Sequence, residues 1–250
     1  MYPPDPSSLD KSLVKLRRVA SDCGARLCLC DGAVSALRLS SRLNLLNRQA
    51  WLMLSGVAVA AATAAAAEPS FDEPALREED IAFIQYTSGS TAEPKGVMIS
   101  FANLYHQLTL DYHRRGVAPD GPPLGRRRGL VGVSWLPQYH DMGLIVATLA
   151  PFCGGYRMHY ASPMAFVRRP PLWVQLMSRV KAHWSVAPDF AFKLTARKFL
   201  AVQQQQQRVD EPALDLSNIY FVSSGGEPLR ADSVKAFADA FRPHGLRERW

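Results

Sequence analysis

Small, flexible and hydroxyl-bearing residues cluster in the stretch IAFIQYTSGSTAEPKGVMIS, which covers residues 81–100. Gly89 and Gly96 allow the backbone to approach a ligand closely, and Lys95 adds a positive charge beside them. Successive backbone N–H groups in such a turn form an anion-binding concavity, so the stretch favours phosphate as its ligand. The hydroxyl donors in it are Thr87, Ser88, Ser90 and Thr91. A Walker A loop requires glycine directly before the lysine, whereas Pro94 stands there, and the alternative interpretation is a serine- and glycine-rich surface turn.

Two further loops contain residue types that suit a binding site. LPQYHDMG, residues 136–143, follows an apolar run and contains His140. GGEP, residues 225–228, follows another apolar run. Ligands of open parallel sheets bind at the carboxyl ends of the strands, so we expect these two loops and the phosphate-favouring loop at one edge of a sheet.

Strand-like and helix-like segments alternate along most of the chain, which predicts an α/β fold with a mainly parallel sheet covered by helices. The predicted strands after residue 80 are 81–86, 130–135, 156–160, 183–187 and 219–224. The predicted helices lie near 102–112, 143–150, 171–181, 189–204 and 229–241. Before residue 80 the pattern predicts a helix over 9–23 capped by Ser7 or Ser8, a strand at 26–30, a helix over 33–49, a short buried strand at 51–54 and a variable linker near 55–79.

The four cysteines do not form a metal or redox pattern, because no two of them are spaced as C-x-x-C. Cys28 and Cys30 flank Leu29 in a predicted strand, and we expect one thiol on each side of that strand. Cysteines of this kind are typically reduced and buried, and Met1 begins no visible secretory signal. These features predict a cytoplasmic protein.

The formal net charge of +7 is of the sign that attracts polyanions. The arginines are dispersed, however, and no helix-turn-helix, zinc-finger or RNA-binding signature accompanies them, so we expect no nucleic-acid partner. The uncharged stretch 51–67 is at the short limit for a spanning helix, and nearly half of it is alanine, which inserts weakly. We therefore predict no membrane span.

Several of these stretches resemble one known family. YTSGSTAEPKGVMISFANL, residues 86–104, is similar to the phosphate-loop signature of the adenylate-forming (AMP-dependent synthetase/ligase) superfamily. VSWLPQYHDMGLI, residues 133–145, resembles the corresponding segment of the fatty acyl-AMP ligase branch. Further agreement at 2–6, 162–198 and 214–246 extends the resemblance over nearly the whole chain, with 33–80 as the weakest part.

The resemblance implies that a fatty acid carboxylate attacks the α-phosphate of ATP, with Mg²⁺ present, to give acyl-AMP and pyrophosphate. The acyl group would then pass to the phosphopantetheine arm of an acyl carrier protein. His140 would lie near the carboxylate and the nucleotide, and Lys95 would assist catalysis. The implied phosphate-binding residues are Thr87, Ser88, Gly89, Ser90, Thr91, Lys95 and Gly96. The implied adenine-pocket residues are Gly225, Gly226, Glu227 and Pro228. The candidates for the acyl tunnel are Met142, Gly143, Pro188 and Phe190.

Each assignment has a structural alternative. His140 is then a hydrogen-bonded loop histidine, Lys95 a solvated lysine, and the tunnel candidates ordinary core residues. The family usually has glycine in place of Ala92, histidine in place of Phe101 and asparagine in place of Asp189, and we expect Asp189 to add negative charge near the tunnel.

The resemblance also implies that residues 1–250 are part of the large N-terminal domain. The upstream part, the acid that helps to hold Mg²⁺ and the small C-terminal domain with its catalytic lysine would be absent, so no metal ligand is predicted in this chain. A catalytically inactive nucleotide-binding remnant and a non-functional truncated copy remain as alternatives to an active ligase.

Overall fold

The computed structural model describes residues 9–32, 50–54, 74–87, 94–115, 129–205 and 213–247, and the chain divides into an N-terminal unit, 1–104, and a C-terminal unit, 105–250. The N-terminal unit begins with helix α1, and strand β1 pairs in parallel with β2. Strands β3 and β4 form an antiparallel hairpin, and helix α2 follows β4 directly. These elements are α1 (Leu9–Asp22), β1 (Leu27–Cys30), β2 (Ala50–Met53), β3 (Ile81–Thr87), β4 (Lys95–Ser100) and α2 (Phe101–Arg115).

Most of the elements predicted in this region are confirmed, but the β3–β4 hairpin was not predicted. Strand β4 was not predicted, and it runs antiparallel to β3, so the prediction of parallel pairing is wrong for these two strands. The strand at β2 is confirmed, although Leu52 and Met53 are exposed rather than buried. The predicted caps at Ser7 or Ser8, the helix over 33–49 and most of the linker lie outside the described residues.

The two cysteines of β1 lie on the same face of the strand. Exposure alternates along β1, with Leu27 and Leu29 exposed, Cys28 half-buried and Cys30 buried. Burial and the nearby Cys30 raise the pKa of the Cys28 thiol. The expectation of one thiol on each side is therefore wrong, because residues two apart in a strand point to the same side.

The C-terminal unit is built on four parallel strands in the order β6-β5-β7-β8. All residues of β5 and β7 are buried, as expected for central strands that helices cover on both faces. Its elements are β5 (Val131–Ser134), a π-helix (Met142–Leu149), α3 (Ala150–Gly154), β6 (Arg157–Tyr160), α4 (Pro163–Arg168), α5 (Leu172–Arg179), β7 (Trp184–Ala187), α6 (Asp189–Gln205), β8 (Phe221–Ser224), α7 (Ala231–Phe241) and a short 3₁₀ turn (Arg242–His244).

The core between the helices and this sheet is apolar and rich in aromatic rings. Trp173, Trp184 and Phe241 are fully buried in it. One buried polar group links the layers: the Ser185 hydroxyl accepts a hydrogen bond from Trp173 Nε1 at 2.8 Å and donates one to the Val133 carbonyl at 2.6 Å. Because both partners are satisfied, this polar group is compatible with the apolar core.

All four strands predicted for this sheet are confirmed, as are the helices that become α5, α6 and α7. Helix α4 was not predicted, and the helix expected at 143–150 begins as a π-helix before it continues as α3. No helix in the described residues is long and apolar enough to span a membrane.

Candidate functional site

Three connections leave the carboxyl ends of neighbouring strands of the four-stranded sheet. The segment 135–141 follows β5, Pro188 follows β7, and the segment 225–230 follows β8. The edge of a parallel sheet at which strands end is the place where such folds bind ligands. The 87–95 connection does not belong to this sheet, since β3 pairs with β4 in a separate hairpin of the described residues. The expectation of three loops on one sheet edge is therefore corrected: two of them share it.

His140 is held by its own loop. Its backbone N–H donates to the Pro137 carbonyl at 3.1 Å, and its carbonyl accepts from the Leu144 N–H at 2.7 Å. The imidazole Nδ1 contacts the Asp141 carboxylate, and the side chain of His140 remains 43% exposed. The Asp141 carboxylate also accepts from the Met142 N–H at 2.6 Å. Through Nδ1, this contact orients the ring and leaves Nε2 as the nitrogen available to a ligand.

The π-helix that follows His140 depends on a close backbone approach. A Cβ atom on Gly143 would lie 2.0 Å from the Pro137 carbonyl oxygen, a distance that no side chain tolerates. The Thr148 hydroxyl donates to the Gly143 carbonyl at 2.8 Å, five residues back along the chain. π-Helical turns are rare and frequent at functional sites, and this one fixes the position of Met142 directly after the histidine loop.

Two carboxylates join the segments that follow β7 and β8. Glu227 Oε1 accepts from the Phe190 N–H at 3.1 Å, in the first turn of α6. Asp189 accepts from the Arg230 N–H at 2.9 Å and from the Ser233 hydroxyl at 3.0 Å, at the start of α7. Asp189 is 6% exposed. Its carboxylate is therefore engaged at the first turn of α7, and the expectation that Asp189 adds negative charge near the tunnel stays a prediction.

A salt bridge at the surface reinforces the same junction. Lys193 Nζ on α6 lies 2.7 Å from Asp232 Oδ2 on α7. The hydrogen bond from Lys193 lowers the pKa of the Asp232 carboxyl, which solvent surrounds. An ion pair between oppositely charged side chains thus links the starts of α6 and α7.

Beside this junction, two glycines, Gly225 and Gly226, follow β8, so the backbone there carries no side chains. Gly226 has φ +82°, a left-handed conformation that glycine adopts without strain. A Cβ on Gly225 would lie 3.4 Å from Met142 Sδ, so the glycine segment and the start of the π-helix are neighbours. The Ser224 hydroxyl is buried next to them and has no hydrogen-bond partner among the described residues. A buried unsatisfied hydroxyl at this edge is suited to a polar ligand.

An aromatic cluster lies where β5 ends. Trp135 stacks on Phe166 with 3.7 Å between ring centroids and 5° between planes. Phe190 meets Trp135 edge-on at 6.2 Å and Phe166 at 6.4 Å. Phe190 is 50% exposed, whereas the other two rings are buried, so its free face is the accessible apolar surface of the cluster.

In the N-terminal unit, Thr87 and Lys95 form the last pair of the β3–β4 hairpin. Lys95 and Gly96 therefore lie on a strand, and not in the loop as the sequence suggested. A Cβ on Gly96 would lie 2.8 Å from Ile84 Cγ2 and 3.0 Å from the Tyr86 ring, so packing alone requires glycine there. The four loop residues that were predicted to hold phosphate, Ser88, Gly89, Ser90 and Thr91, lie outside the described residues.

The structure thus brings together His140, Met142, Gly143, Phe190 and the 225–227 segment around one sheet edge. Sequence reasoning did not single out Ser224, Trp135 or Phe166. Ser224 and Trp135 could have been identified from the sequence, because each stands where a predicted parallel strand ends. No feature of the sequence pointed to Phe166. In the described part of the chain, no group of three or more His, Cys, Asp or Glu side chains is placed to hold a metal ion.

Comparison with known proteins points to one family over most of the chain. Residues 11–248 match the model of the family described as AMP-binding enzyme. Fatty-acid–CoA ligase FadD21 of Mycobacterium tuberculosis (strain ATCC 25618 / H37Rv) is 40% identical over 71% of this chain and 29% of its own length. Medium-chain-fatty-acid–[acyl-carrier-protein] ligase JamA of Moorena producens (strain JHB) is 31% identical over 98% of this chain and 38% of its own.

Among solved structures, the fatty acyl-adenylate ligase of Legionella pneumophila in complex with acyl adenylate and pyrophosphate superposes with a TM-score of 0.75. It is 28% identical, and the match covers 99% of this chain and 38% of that one. The chain therefore spans well under half the length of each of these proteins. With the family model matching from residue 11 to residue 248, this chain belongs to the family of AMP-binding enzymes, and the predicted resemblance to the fatty acyl-AMP ligase branch is confirmed.

Proposed function

We propose that this chain carries part of the site of an ATP-dependent ligase that converts a fatty acid to acyl-AMP and releases pyrophosphate. The observation that carries the proposal is the meeting of three segments at one sheet edge in a chain of this family. Those segments bear His140, the Phe190 ring and the glycines at 225 and 226. In the reaction, a carboxylate oxygen bonds to the α-phosphorus of ATP as the bond from that phosphorus to the pyrophosphate oxygen breaks.

The residues at the sheet edge fit a nucleotide and an acyl chain. The bare backbone of Gly225 and Gly226 leaves room for a flat base, and the unsatisfied Ser224 hydroxyl offers it a hydrogen bond. The exposed face of Phe190 offers apolar contact to an acyl chain. Met142, Gly143 and Pro188 are proposed to line that chain together with Phe190, and Glu227 and Pro228 to frame the base.

His140 is proposed to stabilise charge where the two anionic reactants meet. A donor aimed at developing negative charge is worth on the order of 10²-fold in rate. The contact of Nδ1 with the Asp141 carboxylate supports this role, because it fixes the ring and leaves Nε2 for the reactants, to which a ring protonated on both nitrogens can donate. Lys95 and the loop from Thr87 to Thr91 are proposed to bind the outer phosphates, Lys95 through its ammonium group.

ATP is expected to enter with Mg²⁺, which screens the charge on its phosphates. The proposed acceptor of the acyl group is an acyl carrier protein, which the similarity to JamA supports. Because ATP and carrier proteins are supplied in the cytoplasm, the proposed activity assigns the protein to that compartment.

The test is formation of an acyl-hydroxamate by the complete protein that contains this chain, from ATP, Mg²⁺, hydroxylamine and fatty acids of graded length. We expect a fatty acid-dependent product and pyrophosphate release, both reduced at least about tenfold by His140→Ala. Lys95→Ala should weaken ATP binding by about tenfold or more, as loss of one charge-assisted contact predicts. Arg197→Gln, an exposed substitution away from these segments, is the control.

The outcomes separate the alternatives. Calorimetric ATP binding without hydroxamate would leave a nucleotide-binding remnant, and folded protein that binds no ATP would refute the proposal. Transfer of label from the acyl group to coenzyme A, but not to a carrier protein bearing phosphopantetheine, would refute the proposed acceptor.

A further inference from the structure

A cavity of about 680 Å³ opens between α6 and the α4–α5 connection of the C-terminal unit. Leu194, Lys198 and Val202 line it from one face of α6, since they are spaced four residues apart. Pro170 and Pro171, both buried, line it from the other side. None of the residues assigned to the candidate site lines this cavity, which therefore has no part in the proposed reaction.

One part of the cavity wall is apolar. Phe199 is buried in its wall and packs on Phe241 with 4.8 Å between centroids and on His244 at 5.2 Å. Leu194 and Leu214 are partly buried against the core. Val167 and Val202, by contrast, are exposed large apolar side chains that face this opening. A volume of this size is typical of sites for small organic ligands.

The charged side chains that line the cavity are all cationic. They are Arg168, Arg169 and Lys198, and His244 adds an imidazole. The lining residues that the structure describes include no aspartate or glutamate. Arg169 is held in place, because its guanidinium donates to Gln175 Oε1 at 2.8 Å. Within the described residues, no ion pair involves Arg168 or Lys198, and both side chains are exposed beside the apolar part of the wall.

We propose that this cavity binds the anion of an apolar carboxylic acid, such as a medium-chain fatty acid, at a place separate from the candidate active site. Arg168 and Lys198 hold the carboxylate, and the alkyl chain lies against Leu194, Phe199 and Val202. The cavity matches both parts of such a ligand. The two cations can make charge-assisted hydrogen bonds to the carboxylate, and the apolar part of the wall can contact the chain of methylenes. A fatty acid is bound here without being converted.

The first measurement is calorimetric titration of the chain, without ATP, with hexanoate, octanoate and decanoate. Each added methylene should lower the Kd about three- to fourfold until the cavity is full. Octan-1-ol, which has the same chain and no charge, should bind at least about tenfold more weakly than octanoate. Equal binding of the alcohol would overturn the role of the two cations.

The variants localise the site. Arg168→Gln with Lys198→Gln should raise the Kd of octanoate at least about tenfold, whereas Arg197→Gln, the neighbouring exposed cation outside the cavity, should leave it unchanged. Val202→Trp fills the opening from a side chain that is already 42% exposed, and it should abolish binding without loss of the folded circular dichroism spectrum. Unchanged affinity in both the charge variant and the filling variant would refute the proposal.

Photo-cross-linking with a diazirine-bearing fatty acid identifies the contact directly. We expect label on the peptide that contains 194–203, displaced by octanoate. Label found only on the segments 135–143 and 188–190 would mean that fatty acids bind solely at the candidate active site, and that would overturn the proposal. The hydroxamate assay reports on the proposed ligase activity alone, so either proposal can fail while the other stands.

Discussion

Replacement of Asp189 should reveal how the segments after β7 and β8 are fixed. Its buried carboxylate accepts hydrogen bonds from the Arg230 N–H and the Ser233 hydroxyl. Asp189→Ala removes both acceptors and leaves two donors unsatisfied near the start of α7. A hydrogen bond to a charged group contributes about 1.5–3 kcal/mol, so we expect a loss of about 3 kcal/mol in the free energy of unfolding.

The measurement is urea unfolding followed by tryptophan fluorescence, which Trp135, Trp173 and Trp184 of the C-terminal unit report. With a slope of about 2 kcal/mol per M, a loss of about 3 kcal/mol lowers the midpoint by about 1.5 M. Asp189→Asn keeps one acceptor oxygen and should lose about 1 kcal/mol.

The control is Asp232→Asn, which changes an exposed acid of α7; its salt bridge with Lys193 lies at the surface, where such pairs contribute about 0–1 kcal/mol, so the midpoint should stay close to that of the unmodified chain. An Asp189→Ala midpoint within about 0.2 M of the unmodified chain would contradict the reasoning, because it would mean that the carboxylate contributes little to stability. So would a larger loss in Asp189→Asn than in Asp189→Ala.

Three further substitutions follow from single contacts. Ser185→Ala should cost about 1–3 kcal/mol in urea unfolding, because the buried Trp173 indole loses its acceptor; near-neutral unfolding would contradict this. Gly143→Ala should lower the thermal midpoint and the acyl-hydroxamate yield together, whereas Gly32→Ala, where a Cβ would meet none of the described residues, should leave both unchanged. Burial lowers the pKa of His183 below 6.5. The contribution of this histidine to the free energy of unfolding is therefore complete above pH 6.5, and it is lost as the pH falls through the lower pKa of the folded state. In urea unfolding at pH 7.5 and 5.5, His183→Asn should therefore lose less stability on acidification than the unmodified chain, and an equal loss would contradict the assignment.

The four-stranded sheet could be predicted from the sequence because its central strands are short apolar runs bounded by polar turns. Because β5 and β7 are buried on both faces, they are largely apolar, which is typical of the central strands of a parallel sheet. The position of the His140 and Gly225 segments followed from the same pattern, since both come directly after such runs. Here the local sequence and the global fold agree.

The hairpin could not be predicted in the same way, because β4 begins with Lys95 and Gly96, residues typical of a loop. Its pairing depends on the Tyr86 ring lying over Gly96, and a cross-strand contact leaves no periodic trace in the sequence. The π-helix was hidden for a related reason: the close approach of Gly143 to the Pro137 carbonyl is a tertiary contact, which has no periodic signature in the sequence.

The roles of Asp189 and Glu227 also depended on tertiary structure, and they explain how the candidate site is held together. Glu227, which precedes α7, accepts from a backbone N–H in the first turn of α6. Asp189, the first residue of α6, accepts from the Arg230 N–H and the Ser233 hydroxyl at the start of α7. A carboxylate from α6 thus lies at the start of α7, and a carboxylate from the segment before α7 lies at the start of α6, where the helix dipole favours negative charge.

This exchange has a consequence for the proposed ligase. Phe190, the accessible ring of the aromatic cluster, and Gly225–Gly226, the bare backbone, stand on segments that the two carboxylates hold at fixed separation. An acyl chain against the ring and a base against the glycines would then be presented to each other by the protein in a preset arrangement. Positioning of two reactants is a large part of the catalysis of bimolecular reactions. In the proposed ligase, Asp189 would therefore act on the reaction through the separation of its two binding surfaces without touching a reactant, and Glu227 would do so in addition to framing the base.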